Sequence, residues 1–162
     1  LLASNNFSEK EEVRLEKNDI IASDFYLEDI NGHMVSLNDF KGSLVYLDIW
    51  ASWCGPCRKQ FPHAKKLKQN LSKRQLKKIK FVYISIDTDY EKWKDGLDKL
   101  NLDGYQFISP SNKLNSVSSY FSVSSIPRYI LIDQNGNIID NNAKRPSDET
   151  LLDELLNLIN SK

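Results

Sequence analysis

Cysteine is scarce in this 162-residue chain: Cys54 and Cys57 are the only two. That excludes a disulfide framework, and two thiols alone fall short of a four-thiolate zinc site. Imidazole is as rare. His33 and His63 stand at spacings that complete no metal-ligand set with the cysteines. An excess of either charge is missing too: 22 Lys/Arg balance 22 Asp/Glu, which argues against a dedicated nucleic-acid binder. No apolar run approaches the ~20 residues of a membrane-spanning helix, and there is no internal repeat or low-complexity tract. What remains, 40% apolar and 27% charged residues, is the composition of one globular domain with a short extension. The chain opens at Leu1 rather than Met, so removal of an upstream segment (a signal, a lipid anchor or another domain) is expected.

Residues 1–19 are polar and without apolar period, and read as a linker or arm; residues 20–162 read as the domain. Phe25-Tyr26-Leu27 and Met34-Val35 flank Asn31-Gly32, a dipeptide suited to a hairpin turn. Ser36 to Gly42 has the form of a capped helical turn. Ser43 to Trp50 is almost continuously apolar, as a central strand buried on both faces must be. A helix is predicted from Cys57 to Ser72, with Cys57, Phe61, Ala64, Leu67 and Leu71 on one stripe and a kink at Pro62. Further strands are predicted over Ile79–Asp87, Tyr105–Ser109, Tyr129–Asp133 and Ile138–Asp140. Helices are predicted over Tyr90–Leu100, in a stretch ending at Phe121, and after a Ser147 cap, with Thr150, Leu151, Leu155, Leu158 and Ile159 inward. That order implies an α/β fold, a central mixed β-sheet flanked by helices.

Chemistry concentrates at Trp53-Cys54-Gly55-Pro56-Cys57, where the buried strand passes into the amphipathic helix. A thiol reacts as its thiolate, and the free amides and positive dipole end of a helix stabilise that anion. Cys54 is therefore the candidate nucleophile and Cys57, one turn in, the shielded resolving thiol. Pro56 fits a first turn, where its missing N–H costs nothing. A structural disulfide is the first competing reading, but closing four residues restrains the unfolded chain by only roughly 2 kcal/mol. Metal binding, which needs more ligands, and coincidence are the others.

The stretch Leu47 to Pro62, Leu-Asp-Ile-Trp-Ala-Ser-Trp-Cys-Gly-Pro-Cys-Arg-Lys-Gln-Phe-Pro, resembles the thioredoxin-fold oxidoreductases. More narrowly, the chain is similar to the TlpA/ResA-like branch of bacterial envelope thioredoxins. Asp24 to Gly32, Ser36 to Gly42, Ser125-Ile126-Pro127 and Leu131 to Gly136 carry the likeness along residues 20–160. It implies a thioredoxin-like fold with an N-terminal β-hairpin extension, and a thiol-disulfide oxidoreductase that reduces or exchanges protein disulfides. No cofactor is expected beyond the Cys54–Cys57 redox pair, and no metal. By position, Ile126-Pro127 implies the family's cis-proline loop, an ordinary trans turn being the alternative. Trp53, Gly55, Pro56, Ile126, Pro127 and Arg128 would line the substrate groove, although core packing is a second reading of Trp53. The resemblance further implies an extracytoplasmic location, periplasmic or membrane-anchored, a membrane-associated thiol electron donor, and a monomer acting on protein substrates.

Asp48 interrupts the apolar strand six positions before Cys54, matching the buried aspartate of thioredoxins where the TlpA-like branch often has asparagine. Burial would raise its pKa and let it exchange a proton with Cys57; a carboxylate turned to a solvated strand end is the alternative. Gln60 stands where many of that branch carry a titratable glutamate, which moves the acid–base assignment to Asp48. From Arg58 to Lys80 ten Lys/Arg occur with no Asp/Glu. Most of them read as the solvated face of the helix, or as a basic rim that steers acidic partners, with Arg58, Lys59 and Arg128 nearest the cysteines. A peroxiredoxin-type peroxidase is disfavoured because Ala51 stands where those enzymes need threonine. A metallochaperone or redox-inactive binding module is the alternative from another class.

Overall fold

The computed structural model describes residues 25–161, so the predicted arm over 1–19 lies outside the described residues, as do 20–24. Five strands form one sheet in the order β3-β2-β1-β4-β5: β1 Leu44–Trp50, β2 Ile79–Ser85, β3 Tyr105–Ile108, β4 Arg128–Ile132 and β5 Ile138–Asp140. β1 and β2, and β2 and β3, run parallel; β4 is antiparallel to both β1 and β5. Among the described residues the helices are α1 Gly55–Gln69, α2 Lys73–Lys78, α3 Tyr90–Leu100, α4 Val117–Tyr120 and α5 Leu151–Asn160.

β1 is the middle strand, and all seven of its residues are buried. Its period of two divides the core. Leu44, Tyr46 and Trp50 join Phe61 of α1, Trp93 of α3 and Leu155 of α5 on one face. Val45, Leu47 and Ile49 join Phe25, Leu27, Leu37 and Val117 on the other. Asp48 shares the first face by the same alternation.

Local chemistry explains where elements differ from their sequence reading. The predicted hairpin at Asn31-Gly32 is reduced to one antiparallel bridge, Glu28 with Met34, while Glu28 also bridges Ile108. Asp29 Oδ1 accepts the Asn31 and His33 N–H groups and tightens the turn, with Gly32 at φ +83°. Ser36 and Asp39 form a reciprocal capping box on a 3-10 turn over Leu37–Phe40. The helix predicted to Ser72 instead ends at Gln69, and α2 restarts behind a Ser72/Gln75 capping box. Pro62 lies inside α1 without ending it. Both Pro62 and Arg58 one turn back are exposed. Ser147 does not cap the last helix. Its N–H donates to Gln60 Oε1 at 3.0 Å, and α5 starts at Leu151 behind Thr150, which is exposed rather than inward.

Candidate active site

The end of β1 delivers the cysteines. Ala51–Trp53 form the loop, and Cys54 is the N-cap of α1 in extended conformation, with Gly55 and Pro56 opening the first turn. Cys54 and Cys57 form a disulfide, 4% and 0% exposed. Cys54 Sγ accepts the Cys57 N–H at 3.2 Å. That donor is one of the amides every helix start leaves without a helical partner. The first turn of α1 holds no acidic side chain, so on reduction the local field favours a sulfur anion. Beside Gly55 there is open space where a side chain would sit. Trp53 is 66% exposed, which settles its core-packing alternative against it, whereas Trp50 and Trp93 are fully buried.

The Ile126–Pro127 peptide is cis. It leads into β4, and the register sets Arg128 opposite Ile49. Pro127 therefore arrives at the end of β1 from which the Cys54 loop departs. Arg128 is half-buried there and its Nε donates to the Asn141 carbonyl at 2.7 Å.

Asp48 is 4% exposed, with Oδ1 buried and without a hydrogen-bond partner. Its neighbours across the sheet are Tyr83 on β2 and Tyr129 on β4. Burial pushes its pKa up to about 8, against the opposing pull of Lys68. The carboxylate is enclosed, and the solvated alternative does not hold.

Lys68 departs from the solvated face that most of the basic run forms. Most of that run is exposed, but Lys68 is half-buried. Its Nζ donates to Tyr83 Oη at 2.9 Å and to the Asp103 carbonyl, and lies 4.9–5.0 Å from the Tyr83 and Phe81 ring centroids. Burial lowers its pKa, countered by Asp103 and Asp48. The signal was present in the spacing: Cys57, Phe61, Ala64 and Lys68 follow steps of four, three and four, so Lys68 continues an inward stripe.

A second buried carboxylate escaped sequence reading altogether. Asp87, 2% exposed, accepts the Ser52 N–H at 2.9 Å, the Ser52 hydroxyl at 2.7 Å and the Ser85 hydroxyl at 2.5 Å. Ser52 is in the cysteine loop, so β2 braces that loop through Asp87. Gln60, the non-titrating counterpart of the branch's glutamate, is likewise engaged, holding the Ser147 N–H.

A mixed five-strand sheet carrying a helix-capping cysteine, a second cysteine one turn on and a cis-proline beside them defines a thioredoxin-fold thiol-disulfide oxidoreductase. The thioredoxin-like family model matches residues 42–138, and the chain belongs to that family. Within it, the ResA/TlpA branch holds the similar proteins. The thiol-disulfide oxidoreductase ResA of Bacillus cereus is 27% identical over 83% of this chain and 72% of its own. A Bacteroides vulgatus structure described as a thiol-disulfide oxidoreductase superposes with a TM-score of 0.71 at 35% identity, covering 85% of this chain and 93% of the other. A Chlorobium tepidum structure described as the thiol:disulfide interchange protein DsbE gives 0.70 at 29% identity, covering 88% and 96%. The Cys54–Cys57 pair is thus a redox-active dithiol acting on protein thiols and disulfides.

Proposed function

We propose that the protein is an extracytoplasmic reductant or exchanger of protein disulfides, with Cys54 as nucleophile and Cys57 as resolving thiol. The Cys54 thiolate attacks one sulfur of a substrate disulfide; a mixed disulfide forms and the other substrate sulfur leaves as a thiolate. Cys57 gives up its proton and attacks Cys54 Sγ, releasing the second substrate thiolate and leaving Cys54–Cys57 oxidised. Two electrons pass from the pair to the substrate, and no further cofactor enters the balance. Asp48 is the proposed acceptor of the Cys57 proton, since a carboxyl with a pKa near 8 exchanges protons close to neutral pH.

The observation that carries this reading is the Cys57 N–H aimed at Cys54 Sγ at the start of α1. Trp53, Gly55, Pro56, Ile126, Pro127 and Arg128 form the proposed groove, in which the main chain beside Pro127 pairs with an extended substrate. The TlpA/ResA-like resemblance supports an envelope location, periplasmic or membrane-anchored, and recharging by a membrane-associated thiol donor. Among the described residues no helix is long and apolar enough to cross a membrane. The working unit is taken as a monomer.

Reduced protein should turn over insulin disulfides, and Cys57→Ala should accumulate mixed disulfides through Cys54. Iodoacetamide should modify Cys54 of the reduced protein faster at pH 7 than it modifies free glutathione. Absence of turnover together with ordinary alkylation rates overturns the reading.

A further inference from the structure

A cleft of about 200 Å³ opens between the start of α1 and α3, and the dithiol chemistry makes no use of it. Its near wall consists of Ser52, two residues before Cys54, and Arg58, directly after Cys57. Its far wall has the apolar Leu100 at one end and otherwise consists of Lys92, Asp95, Gly96 and Lys99. Those four stand at i, i+3, i+4 and i+7, one face of α3. Trp93, one residue round the helix from Lys92, is fully buried.

Gly96 lets the two walls approach. A Cβ there would stand 3.3 Å from Ser52 Cβ and 3.7 Å from the Trp50 ring, so even alanine would need Ser52 or α3 to give by a few tenths of an ångström. The walls carry three cations against one carboxylate. Asp95 is held by Lys99 at 2.8 Å, while Arg58 and Lys92 have no carboxylate partner among the described residues. The cleft therefore presents two uncompensated positive charges beside a reactive disulfide. Its volume is below the ~300 Å³ at which small-molecule pockets begin, which suits one side chain rather than a whole ligand.

We propose that this cleft receives an aspartate or glutamate carboxylate of the substrate protein, placed within about three residues of the cysteine that Cys54 attacks. The inference rests on the disulfide-exchange reading above and assigns it a sequence preference. An extended chain advances ~3.3 Å per residue, so residues two or three from a cysteine joined to Cys54 fall within reach of walls made by Ser52 and Arg58. The carboxylate pairs with Arg58 and Lys92 and orients the target disulfide without taking part in sulfur chemistry.

Matched disulfide peptides with Glu or Gln at the second and third positions from the cysteine test this. With the intact protein at low salt, kcat/KM for the Glu peptide should exceed that for the Gln peptide about threefold, the size of a partly exposed ion pair. The preference should vanish near 0.5 M salt, roughly, where screening is strong. Lys92→Glu should abolish or invert it and favour a Lys-bearing peptide, while the Gln peptide is reduced at an unchanged rate. Equal rates for Glu and Gln peptides, or a preference that survives Lys92→Glu, overturn the assignment. Failure to reduce any of the peptides overturns the dithiol reading, and this proposal with it.

Discussion

The carboxylate of Asp87 takes both the N–H and the hydroxyl of Ser52, at 2.9 and 2.7 Å, and so ties the loop that presents Cys54 to the end of β2. The Ser85 hydroxyl supplies a third donor and the Asp87 N–H returns a bond to Ser85 Oγ at 3.0 Å. Asp87→Ala leaves the buried Ser85 hydroxyl and the Ser52 N–H unpaired, a cost of ~2–4 kcal/mol. It should also lower kcat/KM for insulin reduction about tenfold through misplacement of the loop. Ser52→Ala should cost about 1 kcal/mol. In a double-mutant cycle of Ser52→Ala and Asp87→Asn, denaturant midpoints should reveal coupling of ~1 kcal/mol or more. Additive effects would show that the contact does not brace the loop.

Asp48 makes stability fall with rising pH. Its folded pKa of about 8 lies above the ordinary 3.8, so between those values the folded state keeps a proton that the unfolded chain has lost. The resulting penalty is absent below pH 4, grows through neutrality and levels off above pH 8. Linkage puts it on the order of 4 kcal/mol at pH 7. Asp48→Asn, nearly isosteric and uncharged, should therefore raise the melting temperature of the oxidised protein at pH 7 and leave it nearly unchanged at pH 3.5. Melting curves of both proteins from pH 3.5 to 9 check this; a pH-independent difference would mean that Asp48 is not the titrating group.

Much of the site could be read from order and spacing because those features are local. Cys54, Cys57 and Pro56 occupy a strand-to-helix junction that hydropathy alone locates, and α3 and β5 have their predicted bounds. What stayed hidden depends on contacts distant in sequence. Asp87 looked like any polar residue at a strand end, since its partner Ser52 is 35 positions away. Ser147 looked like a cap because nothing nearby shows that Gln60, 87 positions earlier, takes its N–H. The break at Asn70–Ser72 is a different case. Its Ser72/Gln75 box was visible in the sequence, but Leu71, buried on the same face, prolonged the apolar stripe across it.

Lys68 is the cation that opposes the burial effect on Asp48, and its removal has a definite sign. Lys68→Met keeps most of the buried stem while deleting the charge, so the Asp48 pKa should climb further, by about 0.5–1 unit. If Asp48 accepts the Cys57 proton it must be ionised to do so, and the acid limb of the pH–rate profile for disulfide reduction should move upward by the same amount. A carbon-13 titration of the Asp48 carboxyl reads the shift independently of turnover. An unchanged midpoint in both measurements would remove Lys68 from the proton path and leave it a packing residue over Tyr83 and Phe81.

Trp53 separates binding from folding. At 66% exposure it contributes little to the core, whereas Trp50, three residues earlier, is fully buried and meets Phe61 edge-on at 5.3 Å. Trp53→Ala should leave the denaturant midpoint within about 0.5 kcal/mol of wild type. In the same variant KM for a protein disulfide should rise severalfold, because an exposed aromatic plate adjacent in sequence to Cys54 is lost from the proposed groove. Reduction of a small disulfide such as oxidised glutathione, which spans no groove, should keep its rate. A drop of equal size for both substrates would place the indole in the chemistry of Cys54 itself rather than in recognition of the polypeptide around the target.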